Sequence, residues 1–131
     1  MGTLIDTSVL IPVERRELDL RQVVDVDEPL AMAAVTASEL LQGVHAASDA
    51  VRRSRMERSV ELMIATVRVV AFTLPIARLH AQLAAELEAR GTRIGAHDLM
   101  IAATAVWLDY RIATRDLRSF PKIRGLDVVR W

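Results

Sequence analysis

Four acidic side chains carry the chemistry that this sequence offers: Asp6, Glu39, Asp98 and Asp116. Brought together, they would form a site for a hard divalent cation. Carboxylate oxygens, in a chain without cysteine, select Mg²⁺, with Mn²⁺ as a substitute, over softer metals. Grouping them is costly without a cation. Two like charges at ~4 Å repel by about 4 kcal/mol at an effective dielectric of 20. Four acids make six such pairs, and a domain has only about 5–15 kcal/mol of stability in total. Protonation or a bound cation must relieve the strain. A cation on such a cluster orients a phosphate, activates a water and stabilises a leaving oxygen, and two ions ~3.5–4 Å apart would divide those tasks.

Each acid also has a local explanation. Asp6 could cap a helix. Glu39 could be the glutamate of a capping box, Thr36-Ala37-Ser38-Glu39. Asp98 could open a helix and favour its dipole. Asp116 could initiate the turn Asp116-Leu117-Arg118-Ser119. The case for a shared site rests on where the elements place them.

Residues 2–5 form a short apolar run that reads as a buried strand. Thr7 or Ser8 then caps a helix, with Pro12 in or near its first turn. Residues 13–29 give no clear element. Residues 30–35 suit a short strand or helix. The periodicity predicts a helix over 50–66 with Val51, Met56, Val60 and Met63 on one side. A β-branched strand follows over 67–72. Thr73-Leu74-Pro75 opens a helix striped by Ile76, Leu79, Leu83 and Leu87 and closed by Gly91. Asp98 begins an interior helix, apolar on nearly every side to Leu108. Strands over 111–114 and 128–131 complete the chain, the last at an edge. Short apolar strands alternating with helices predict an α/β domain with a mainly parallel sheet. Ligands of such sheets sit beyond the carboxyl ends of the strands. Asp6 and Asp116 follow strands, and Glu39 and Asp98 lie at predicted helix starts, so all four can face one edge.

Length and composition narrow the alternatives. At 131 residues the chain is expected to form a single domain over 1–131. It is 52% hydrophobic and 26% charged, with a mean hydropathy of +0.24. With no cysteine, neither a disulfide framework nor a thiolate metal site can form. The opening Met1-Gly2-Thr3-Leu4-Ile5-Asp6 does not read as a signal peptide, and no run reaches the ~20 apolar residues of a membrane span. A soluble, cytoplasmic protein without membrane association is expected. Net charge is zero, so nucleic acid cannot be gripped by bulk charge and needs a local patch. Only 4% of residues are aromatic, too few for a base-stacking platform.

The order and spacing of several segments carry a resemblance. Leu4-Ile5-Asp6-Thr7-Ser8-Val9-Leu10, Ser38-Glu39-Leu40, the run from Gly95 through Asp98 to Ala105, and Ala113-Thr114-Arg115-Asp116 with Phe120 resemble a PIN domain. They are most similar to the VapC toxins of bacterial VapBC toxin–antitoxin pairs. The resemblance spans essentially the whole chain. It implies a three-layer α/β/α sandwich and a Mg²⁺- or Mn²⁺-dependent endoribonuclease, in which a metal-activated water attacks the RNA phosphodiester without a protein nucleophile. It implies a cognate VapB-type antitoxin, a homodimer, and contact with promoter DNA only through the antitoxin. Carried over by position, Asp6 and Asp98 are metal ligands and Glu39 and Asp116 complete the acidic quartet. Thr7, Ser8 and Thr114 supply supporting hydroxyls. Many relatives carry a second acid just before the closing phenylalanine. Here Ser119 precedes Phe120, leaving the fourth acidic role to Asp116 alone.

Other residues admit two readings. Arg115 could contact substrate phosphate, pair with an acid or stay solvated. Arg52, Arg53, Arg55 and Arg58 could guide RNA or form an ordinary solvated helix face. His97 could tune the site or lie beside it, whereas His45 and His80 are expected only to pack or hydrogen-bond. Trp107 is expected to fill the core, and Met56, Leu62 and Met63 to form core or a dimer contact. Two other functions compete with the ribonuclease. One is a PIN-like protein-binding module with weak or lost nuclease activity. The other is a phosphatase using Asp6 as a nucleophile, disfavoured because Ser8 occupies the position where such enzymes carry a second acid.

Overall fold

The computed structural model describes all 131 residues. Five strands form one sheet: β1 (Thr3–Ile5), β2 (Leu30–Ala33), β3 (Arg68–Val70), β4 (Arg111–Thr114) and β5 (Val128–Arg130). Their order is β3-β2-β1-β4-β5, and every pairing is parallel. The five helices are α1 (Thr7–Glu14), α2 (Ala34–Ala46), α3 (Ala50–Thr66), α4 (Leu74–Ala89) and α5 (Ala96–Leu108). No helix is long and apolar enough to cross a membrane.

Side-chain alternation along the strands divides the core in two. Leu4, Ala31, Ala33 and Ile112 face one side and pack with Ile76 of α4 and Ile101 of α5. Ile5, Met32 and Ala113 face the other and pack with Val9 and Leu10 of α1, Leu40 of α2 and Val60 of α3. The result is the expected three-layer α/β/α sandwich, with a wholly parallel sheet. Gly2 lies against the ring of Tyr110, where any β-carbon would collide with that ring. This close approach lets the chain enter β1 directly beneath the turn that leads into β4.

Several expectations need correction. The helix after β1 is capped by Asp6, the alternative named above, and not by Thr7 or Ser8: the Asp6 side chain accepts from the Ser8 amide, 3.4 Å away. Pro12 is the sixth residue of α1, past its first turn. The 36–39 capping box does not exist. Helix α2 already begins at Ala34, with Ala33 as its uncapped N-cap, because β2 runs straight into it. Helix α5 starts at Ala96, so Asp98 is its third residue. Val51 is 76% exposed and Leu62 64%, so neither belongs to the core stripe of α3. Trp107 is 44% exposed near the end of α5, since only residues 101–105 of that helix are fully buried. The unassigned stretch 13–29 contains the end of α1, a left-handed Arg16 (φ 61°) and one 3₁₀ turn, Leu20–Gln22.

Candidate active site

Asp6 is the centre of the site. It follows β1 directly and is 6% exposed. Register holds it beside Thr114: Ile5 pairs with Ala113, and the Asp6 amide donates to the Ala113 carbonyl at 2.9 Å. Its Oδ2 accepts from Ser8 Oγ at 2.7 Å and from Thr114 Oγ1 at 2.9 Å. Each hydroxyl is polarised in turn by a backbone N–H. The Arg115 amide donates to Ser8 Oγ at 2.8 Å, and the Asp116 amide to Thr114 Oγ1 at 3.0 Å. Two short relays from the turn after β4 therefore end on one oxygen of Asp6. All these bonds fall on Oδ2; none reaches Oδ1. Ser8 and Thr114, two of the expected supporting hydroxyls, both donate to the Asp6 carboxylate. The Thr7 hydroxyl is buried and makes no well-formed hydrogen bond, although it lies near enough to Glu39 to favour the ionised form of that acid.

Glu39 projects from α2 and Asp98 from the first turn of α5. Both titrate above their ordinary values. Burial contributes most to the shift of Glu39, with the charges of Asp6 and Asp98 adding to it, while His97 and Thr7 oppose it. Asp98 is raised by burial, with Asp6 and Asp116 adding, against the Ser119 hydroxyl and His97. The mutual influence of Asp6, Glu39 and Asp98 places these three acids in one electrostatic cluster. His97 Nδ1 stands 3.5 Å from Glu39 Oε1, so this histidine joins the site through Glu39. The Ser119 hydroxyl faces Asp98.

Asp116 is differently engaged. Arg118 Nε donates to its Oδ1 at 2.9 Å and Arg118 Nη2 to its Oδ2 at 2.8 Å, and the Arg118 amide donates to Oδ1 at 3.0 Å. The guanidinium contact, aided by the amide, holds the carboxyl down to about 2. The sequence offers one local signal for this partner, an arginine two residues after an acid in a turn. Arg115 is exposed, and its Nε donates to the Trp131 carbonyl at 2.9 Å rather than to an acid.

The donor set suits a hard divalent cation: carboxylates only, an Asp6 Oδ1 free of hydrogen bonds, and a buried Thr7 hydroxyl without a good partner. As the side chains stand, however, no three His, Asp or Glu groups close around one point. Asp6, Glu39 and Asp98 are the residues that would hold such an ion, with Asp116 joining them only on release from Arg118.

Comparison with known proteins agrees with this architecture. The PIN domain family matches residues 3–126. Ribonuclease VapC1 of Rickettsia felis is 28% identical over 98% of this chain and 96% of its own length. The VapC ribonuclease Y4jK of Sinorhizobium fredii is 33% identical over 96% and 94%. The crystal structure of DNA-bound VapBC from Salmonella typhimurium superposes with a TM-score of 0.88 at 25% identity, over 100% of this chain and 98% of that one. With the acidic cluster at the carboxyl edge of its parallel sheet, this chain belongs to the PIN-domain family, among the VapC toxins.

Proposed function

We propose that this chain is the toxin of a toxin–antitoxin pair and that it cleaves RNA phosphodiester bonds with a divalent cation, Mg²⁺ or Mn²⁺, held by Asp6, Glu39 and Asp98. The observation that carries this reading is the fixed carboxylate of Asp6. Two hydroxyls lock its Oδ2 and leave Oδ1 free of hydrogen bonds, in a site where Glu39 and Asp98 both feel the charge of Asp6. The relatives named above are ribonucleases, and the Salmonella typhimurium structure is a complex with DNA. A cognate antitoxin is accordingly proposed as the partner, with promoter DNA reached through it, and the active form as a homodimer.

A bound divalent ion supplies positive charge to the scissile phosphate and acidifies a water. The protein's part is to fix geometry. Ser8 and Thr114 hold Asp6 in one orientation, and the turn 114–116 fixes both hydroxyls. Burial and neighbouring negative charge raise the carboxyls of Glu39 and Asp98 above their ordinary range, and a bound cation would favour their ionised forms. Asp116 stands as a fourth carboxylate, under the control of Arg118. Arg115 would offer its exposed guanidinium to phosphate on leaving the Trp131 carbonyl.

The test is cleavage of a labelled RNA in Mg²⁺ by the wild type, Asp6→Asn and Asp98→Asn. Loss of cleavage in both variants is expected, and unchanged rates in both would sink the proposal. One observation favours the protein-binding module instead: three acids do not yet converge, and Asp116 is occupied by Arg118. Calorimetric titration with Mn²⁺ separates the two readings, since a site that never takes up the ion favours the module.

A further inference from the structure

The residues that end α1 and the outer face of α3 enclose a cleft of about 560 Å³. Arg15 and Arg16 line it from one side and Arg52, Arg55 and Arg58 from the other, against only two acids, Glu14 and Glu17. None of these five guanidiniums takes part in an ion pair. On α3 the charges are sorted by face. The arginines recur every three residues toward the cleft, whereas Glu57 and Glu61 of the same helix are not part of its wall. Arg53, the fourth arginine of the run, turns away and donates to the Ala47 carbonyl. In a chain whose net charge is zero, this is a local concentration of cation, and its guanidinium chemistry matches phosphate.

We propose that this arginine cleft binds the sugar–phosphate backbone of single-stranded RNA, outside the acidic site; the proposal rests on the ribonuclease reading above. Helix α1 links the two places. It starts next to Asp6 and ends at Glu14, and eight residues span ~12 Å. A stacked strand advances ~3.4 Å per phosphate, so three to four nucleotides cover that distance. The wall holds no aromatic side chain and only Met56 and Leu62 as hydrophobic residues. The cleft therefore grips charge without stacking bases and confers affinity rather than sequence preference.

The experiment measures binding of a fluorescent 15-nucleotide single-stranded RNA in EDTA, by anisotropy over a salt series. It compares the wild type, the triple variant R52A/R55A/R58A, and a charge-matched control, R78A/R93A/R124A. All positions substituted are exposed, and circular dichroism checks the fold of each variant. The cleft triple variant should bind at least about tenfold more weakly at low salt, and its log–log salt slope should fall by about 2, as ~0.7 per lost phosphate contact requires. The control should stay close to wild type. Equal losses in both variants, or none in the cleft variant, overturn the proposal. So does a polyglutamate peptide that binds the cleft more tightly than RNA, which would indicate an acidic protein partner. Because no metal is present, binding through the cleft by a chain that then fails to cut RNA in Mg²⁺ upholds the cleft and refutes the nuclease.

Discussion

Arg118 grips both carboxylate oxygens of Asp116, at 2.9 and 2.8 Å, from two residues further along the same turn. The fourth acid of the quartet therefore already has a cationic partner. Arg118 is largely exposed, so the pair can open at small cost, since exposed ion pairs are worth about 0.2–1 kcal/mol. Replacing it by Ala removes a competitor for the carboxylate and a positive charge near Asp98. Calorimetry with Mn²⁺ should show affinity rising by up to about fivefold in R118A. A weaker or unchanged affinity would mean that Asp116 takes no part in holding the ion.

Thr114 is fully buried and connects the Asp116 amide to Asp6. Thr114→Val keeps the shape but deletes both bonds. Groups that orient a metal ligand typically matter 10- to 100-fold. A loss of about that size in Mg²⁺-dependent cleavage is expected, with Thr114→Ser recovering most of it. Equal activity in Val and Ser variants would reduce Thr114 to a packing residue.

The raised pKa values of Glu39 and Asp98 give a signed pH dependence. Both acids hold their protons more tightly in the folded chain than at their ordinary values of 4.5 and 3.8. Their contribution to stability is thus complete below those values and is lost as pH rises through the higher folded ones. A divalent cation must displace those protons. The rise in Tm produced by Mn²⁺ should be small at pH 4.5 and grow toward pH 7.5. Asp116, at about 2, stays ionised throughout and adds nothing to this trend. A metal-induced rise of the same size at both pH values would contradict the scheme.

A second charged network lies away from the acidic cluster, at the amino ends of β1 and β4. Glu28 is nearly buried and accepts from Arg111 Nη2 at 2.9 Å and from the Thr3 hydroxyl, while Arg111 lies over the Trp131 ring at 5.9 Å. Burial opposes ionisation of Glu28, but the two hydrogen bonds outweigh it and hold the carboxyl below its usual range. Its stabilisation is present above about pH 4.5 and lost as pH falls through the lower folded value. Arg111→Ala strands the charge and should cost about 3 kcal/mol in urea unfolding, and Glu28→Gln less. A change below about 0.5 kcal/mol, the background for surface substitutions, would refute the network's structural role.

Elements with a strong local signal were readable from the sequence. The bounds of α3 and β4 emerge as expected, because α3 is a long periodic run and β4 a β-branched segment ahead of a turn. The start of α2 was hidden. Ala33-Ala34 offers no cap, while Thr36-Ala37-Ser38-Glu39 imitates one inside the helix. Ser8 and Thr114 could be named as supporting hydroxyls, but the route from the turn amides through them to Asp6 depends on register across 108 residues. The Arg118 clamp and the joining of Arg15 and Arg16 to the α3 arginines are likewise products of tertiary placement. No pattern within one segment announces them.

The strand order has a consequence for biosynthesis. β1, made first, lies between β2 and β4, and β4 leaves the ribosome only after residue 110. Until then Asp6 has no Thr114 to hold it, and neither Asp98 nor the turn amides are in place. At about 5–20 residues per second, several seconds of synthesis pass with the acids apart. A nascent or prematurely terminated chain therefore lacks the assembled acidic cluster, which comes together only in a nearly finished polypeptide.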